Sequence, residues 1–229
     1  RFSELISVSL MLLGIGPIFV NERETKMDAM ILSSKKGKIA MTYAKVLSIF
    51  IFIVFLNIVF ATINFFEFKI LYGLKGSGLP LYAIEAFQYT PLNCSVGAFY
   101  CFNSLLNIIG MFSFGLFISF FSSIFRRVVY TYMLSILFFV LGLYSSGYLA
   151  SVESKKMLSS LISPFTMLKA EQLYSNLLGC RIANMFYLRA SIGIVIQIIT
   201  IIIIFLMIYF FGTKMEFKVR KRHFRKEVN

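Results

Sequence analysis

The stretch NERETKMDAMILSSKKGKIAMTYAK, Asn21 to Lys45, decides how the rest of the chain is read. It lies between two apolar runs and carries Glu22, Arg23, Glu24, Lys26, Asp28, Lys35, Lys36, Lys38 and Lys45. On a helical wheel Met27, Met30, Ile31 and Leu32 fall on one side. A connection that only turned the chain around would need a handful of polar residues. This one is long, helix-competent and two-faced, which predicts a surface offered to a partner in the aqueous phase.

Working outward, the flanking sequence is membrane-like. Charged residues make up only 14% and mean hydropathy is +0.82, where a soluble domain carries charge at about a quarter of its positions. Apolar runs at about 5–20, 46–66, 104–124, 128–150 and 188–212 approach or exceed the roughly 20 residues a helix needs to cross a bilayer. They do not alternate polar with apolar, so a porin-like barrel is excluded. The expected fold class is an all-α integral membrane protein, one transmembrane domain over 1–229. Five spans are visible, and six are expected in the complete chain, because the chain opens with Arg1 rather than Met.

Lys and Arg set the expected orientation. The connection 21–45, the turn Arg126–Arg127 and the tail from Lys214 hold six, two and seven basic residues, against two in 67–103 and four in 151–187. The positive-inside rule therefore puts 21–45 and the basic tail 213–229 in the cytoplasm, C-terminus included, and 67–103 and 151–187 outside. The net charge of +13 is then read as a headgroup anchor and not as a nucleic-acid surface. Segments 67–103 and 151–187 read as interfacial or re-entrant. Pro80, Tyr82, Phe87, Tyr89 and Pro91 are expected at headgroup depth in the first, and Pro164 divides two short apolar stretches in the second.

Several chemistries are excluded. The spans hold almost no ionisable group, whereas ion-coupled carriers keep one near the midplane. Asn57, Asn64, Asn107 and Gln197 are read as hydrogen-bonding links between helices. There is no HExxH, Gly-x-Ser-x-Gly or phosphate-binding loop, and the single histidine, His223, lies in the basic tail. No catalytic residue, metal site or cofactor is expected on this chain. Cys94, Cys101 and Cys180 fall in the outer segments and are read as either free thiols or a disulfide pair with one left over.

The run from Val20 through Leu47 resembles the membrane subunits of ABC-2-type ABC exporters, at Glu22, Arg23, Ile31, Leu32, Ser33, Ser34, Lys35, Ala44 and Lys45. The stretch Leu161 to Phe165 resembles the family's Leu-Ser-Pro turn after the fifth span. The resemblance implies a permease dimer, homo- or heteromeric, in a bacterial cell membrane, driven by separate nucleotide-binding ATPase subunits that hold ATP and Mg. It implies ATPase coupling through Glu22, Arg23, Glu24, Lys26, Met27, Asp28, Met30, Ile31 and Leu32, by a helix seated in a groove. It implies an outer gate at Ser163, Pro164 and Phe165. The cargo it implies is hydrophobic or amphipathic, such as an antimicrobial peptide under self-immunity, a lipid or a drug, and the 27 Phe, 12 Tyr and 11 Met suit such a cargo. The alternatives are a scaffold or sensor subunit that uses the same helix, and an ATP-independent lipid scramblase or channel.

Overall fold

The computed structural model describes residues 2–25, 27, 37–73, 76–125, 127–147, 160–175, 179–182 and 185–227. Five of its helical segments are long and apolar enough to cross a membrane, which makes the chain a multi-pass membrane protein. The first is α1 (Phe2–Ile15) continued by the short α2 (Val20–Glu24). Pro17 separates them: it lacks an N–H to donate and its ring crowds the preceding turn, so the chain closes a tight turn at 16–19 before resuming.

Next comes α3 (Gly37–Tyr72), 36 residues and about 54 Å long, far more than the bilayer requires. The span expected at 46–66 is only its middle, because helix-competent residues on either side let the winding continue; the apolar stretch itself runs from Ala40 to Leu71. Gly73 stops it. Its φ of +70° is a left-handed conformation that glycine adopts without strain, and its N–H donates to the Lys69 carbonyl (3.2 Å).

After two 3₁₀ turns, Leu81–Ala83 and Glu85–Phe87, Ser95 caps the next helix by accepting from the Ala98 N–H at 3.3 Å. That helix is α4 (Val96–Ile124), which starts eight residues before the expected span. The span expected at 128–150 is helical as α5 (Val128–Ser146). Segment 160–174 folds into a helical turn at 160–162 and two short helices, α6 (Phe165–Leu168) and α7 (Ala170–Tyr174). A two-stranded antiparallel hairpin, β1 (Gly179–Ile182) with β2 (Met185–Leu188), pairs Gly179 with Leu188 and leads into α8 (Arg189–Glu227), about 59 Å of helix.

The hub is α4, which packs on α1, α3, α5, α6 and α8. Its buried residues include Gly110, Ser113, Gly115, Ser119, Ser122 and Ser123, small side chains that admit close neighbours. Lipid tails are as apolar as leucine, so close packing replaces the hydrophobic effect as the force between helices. A Cβ on Gly115 would stand 2.9 Å from Ile53, 3.2 Å from Ile15 and 3.3 Å from Ile49, which marks the meeting line of α1, α3 and α4. The exposed side chains of α3 and α8, Ile51, Phe55, Ile58, Ile199 and Leu206 among them, form the apolar outer surface that a bilayer would cover.

Candidate functional sites

Of the nine residues assigned to coupling, Lys26, Asp28, Met30, Ile31 and Leu32 lie outside the described residues, and of Arg23 only the backbone is described. The other three show how the segment is rooted. Glu22, in α2, forms an ion pair with Lys45, whose Nζ also stands 4.2 Å above the Phe19 ring. Both charged side chains are mostly covered, so the pair is screened less than an open surface pair would be. Lys45 belongs to the third turn of α3, not to a connecting loop, and the helix over 37–45 shortens the connection from that side. Glu24 Oε1 accepts from the Val128 N–H (3.3 Å) at the start of α5, where the helix dipole favours a carboxylate.

The turn at 16–19 is tied to α4 as well. Ser122 Oγ donates to the Gly16 carbonyl (2.8 Å) and accepts from the Phe19 N–H (3.2 Å). The root of the segment therefore touches α1, α3, α4 and α5 within one cluster. Met27, just beyond it, is 55% exposed, an apolar side chain without cover in the described structure.

The residues assigned to an outer gate, Ser163, Pro164 and Phe165, lie together in a wedge driven between helices. The whole stretch 163–168 is buried. Each face of the wedge meets a glycine on a different helix. A Cβ on Gly142 of α5 would fall 2.3 Å from Phe165 Cδ2; one on Gly110 of α4 would fall 2.8 Å from the Pro164 carbonyl oxygen; one on Gly193 of α8 would fall 3.0 Å from Met167 Cε. The Phe165 ring packs on Phe114 (5.0 Å between centroids) and Phe139 (5.1 Å). Such aromatic pairs contribute about 0.5–1.5 kcal/mol each beyond the area they bury.

Irregular backbone buried among apolar side chains needs polar partners, since those side chains supply none. Gln197 Nε2 lies within reach of three wedge carbonyls, Leu161 (3.3 Å), Ile162 (3.2 Å) and Ser163 (2.9 Å), and Ser163 Oγ donates to the Gly142 carbonyl (3.0 Å). Gln197 is fully buried, and its linking role agrees with the sequence reading. Past the wedge, Tyr174 packs edge-on against Phe99 and Phe102. Burial pushes its phenol above the ordinary value, so it stands as a neutral ring.

A third feature escaped the sequence reading. A cavity of about 600 Å³ opens between α1, α3, α4 and the loop over 81–87. Asn57, Asn64 and Asn107, read from sequence as links between helices, line it together with Asn103, Ser3 and Ser7. Two links are real: Asn57 Oδ1 accepts from Ser104 Oγ (2.7 Å), and Asn64 Nδ2 donates to Ser3 Oγ (3.3 Å). Asn103 Oδ1 and Asn107 Oδ1 are buried with no partner among the described residues. Glu67, near the end of α3, Glu171, in the first turn of α7, and Met111 complete the lining. Met111 also belongs to the apolar cluster that holds Phe165 and Leu168, so cavity and wedge share a wall.

The spacing was the available signal. Ser3 and Ser7, Asn57 and Asn64, and Asn103 and Asn107 are four or seven apart, and so recur on one face of each helix. Cys94 and Cys101 carry free thiols; Cys180 lies in β1 opposite Tyr187. Among the described residues no cluster of His, Cys, Asp and Glu could hold a metal. Compared with known proteins, the chain matches no family model and no curated protein.

Proposed function

We propose that this chain is the membrane-spanning subunit of an ATP-driven exporter, working as a dimer of such subunits in a bacterial cell membrane. The ATPase is a separate soluble protein that holds ATP and Mg and docks on the segment between α2 and α3. The observation that carries this reading is the rooting of that segment. Glu22, Glu24, Phe19 and the Ser122 hydroxyl join its start to α1, α3, α4 and α5 at one end of the bundle. A push on the segment is therefore delivered to four helices at once. An ordinary connection between two spans would move only its own pair.

The far end of the bundle supplies what such a push could act on. The wedge at 160–168 packs on α4, α5 and α8 beside the polar cavity. Tilting those helices at the basic end alters the seat of Phe165 on Gly142 at the other, which suits Ser163, Pro164 and Phe165 to the role of an outer gate. The cavity's mixture of amides and aromatic walls suits an amphipathic cargo. Purified in mild detergent from its native membrane, the chain should bring with it a soluble ATPase, in a complex holding two membrane subunits. Isolation as a stable monomer without ATPase activity overturns the reading and leaves the scaffold, sensor and channel alternatives.

A further inference from the structure

We propose that the cavity between α1, α3 and α4 is a water-filled vestibule reaching the middle of the membrane from the end of the bundle away from the basic segments, and that the apolar packing around Gly115 is the plug beneath it. As a vestibule with a plug it stands on the cavity and its floor; as the way out for cargo it rests on the exporter reading.

Helix geometry gives the depth. The lining joins exposed residues to buried ones: Glu67, Leu71, Ile84 and Glu171 are exposed and mark the mouth, whereas Asn57 and Met111 are buried. Of the 29 residues of α4, about 20 fill the hydrocarbon. Whichever stretch of Val96–Ile124 that is, its centre falls between Leu105 and Gly115, so Met111 stands within about 9 Å of the midplane.

Hydrogen bonding gives the content. Asn57 spends its oxygen on Ser104, and Asn64 spends its nitrogen on Ser3. The other half of each amide, Asn57 Nδ2 and Asn64 Oδ1, has no partner among the described residues, yet neither is sealed in as the Asn103 and Asn107 oxygens are. A side-chain amide left without a partner in hydrocarbon is costly, and water in a space of about 600 Å³ can reach both groups.

Packing gives the plug. One turn beyond Met111, Ile15, Ile49 and Ile53 close on Gly115, which has no side chain to hold them apart. These three and Ile118 are at most 1% exposed, and Ser119 at the same level spends its hydroxyl on the Gly115 carbonyl. A constriction lined this way stops water and hydrated solutes by dewetting, so a small change in its width or polarity opens it. Its three walls, α1, α3 and α4, are also joined by the root of the segment between α2 and α3. A push on that segment therefore bears on the plug directly.

The test is thiol labelling of the full chain, freed of Cys94, Cys101 and Cys180, in phosphatidylcholine nanodiscs, where a charged methanethiosulfonate reaches both faces. The reagent attacks the thiolate, and apolar surroundings raise a thiol's pKa, so cysteines in water react fastest. Ser104→Cys and Asn57→Cys line the vestibule and should be labelled. Ser113→Cys and Ser119→Cys are buried on α4 outside it, and Ile58→Cys faces lipid beside Asn57. These three should react about a hundredfold more slowly, the effect of a thiol pKa raised by about two. Ser104→Cys replaces a single atom, so it decides the matter even where Asn57→Cys fails to fold. Ser104→Cys as slow as Ser113→Cys, or Ile58→Cys as fast as Asn57→Cys, overturns the vestibule. Ile53→Thr with Ile118→Thr wets the plug and should bring Ser119→Cys up to the Ser104→Cys rate; Ile53→Thr alone serves where the pair does not insert. Ser119→Cys still slow beside a fast Ser104→Cys overturns the plug. The expected labelling in a chain that copurifies with no ATPase sinks the exporter reading while the vestibule stands. A confirmed ATPase partner with Ser104→Cys unlabelled does the reverse.

Discussion

At the scale of single residues, Gln197 carries the most consequence for its size. One amide nitrogen faces three carbonyls of the wedge, of which that of Ser163 also accepts from the Thr166 N–H (3.2 Å) and hydroxyl (2.7 Å). Gln197→Leu keeps the volume and removes the donor, so the cost falls on the Leu161 and Ile162 carbonyls, at about 1–3 kcal/mol for a buried acceptor that loses its partner. Gln197→Glu should be worse near neutral pH, because a carboxylate would face the same oxygens with no proton to give. Thermal unfolding in detergent should rank wild type above Leu and Leu above Glu. Acidification, by protonating the introduced carboxyl, should recover part of the Glu loss. Equal stability of the Leu variant and wild type would show that the wedge does not depend on this contact. That Gln197 links helices was legible from its place in an apolar run, since an amide there must find partners. That Asn107 would face a cavity was not, because the same residue type in the same setting supports either outcome until neighbouring helices are placed.

At the scale of elements, the wedge predicts an order among three substitutions that look alike in sequence. Gly110→Ala sets a methyl 2.8 Å from backbone oxygen, and Gly142→Ala sets one 2.3 Å from a ring carbon of Phe165, itself clamped by Phe114 and Phe139. Gly193→Ala meets the flexible end of Met167 at 3.0 Å and can be accommodated. The first two should each cost about 1–3 kcal/mol by overpacking, and the third well under that; melting temperatures of the three purified variants test the ranking. On the segment between α2 and α3, Met30→Asp with Leu32→Asp should abolish ATPase stimulation by the membrane subunit while leaving insertion intact, since a carboxylate in an apolar groove is costly. Stimulation that survives this pair removes the segment from the coupling role. The five apolar elements themselves were legible because length and hydropathy suffice to mark them. Their ends were not: α3 runs through Lys38 and Lys45 on one side and Lys69 on the other, and hydropathy falls where the bilayer ends, not where the helix does. The seat of the wedge was illegible for a different reason, since its three glycines come from three distant helices.

For the whole molecule, every functional statement depends on which way the bundle faces. In a chain freed of Cys94, Cys101 and Cys180, cysteines placed at Ser34 and Lys221 should resist an impermeant thiol reagent in intact cells, and one at Lys155 should react. Inverting the chain would move basic segments against the membrane potential at about 2.3 kcal/mol per charge per 100 mV. Labelling at Ser34 and not at Lys155 would put the α2–α3 segment beyond reach of any cytosolic ATPase. The length of α8 adds a constraint of its own. To fit about 59 Å of helix inside 30 Å of hydrocarbon would take a tilt near 60°, well past the range transmembrane helices adopt. With the usual 20 residues inside, roughly 19 stand in water, a cationic mast of about 28 Å, close to the diameter of a small domain. Anything docking beside it meets a vertical wall as well as a floor, so the berth is a corner, and a corner fixes the bearing of its occupant where a flat deck would let it swivel.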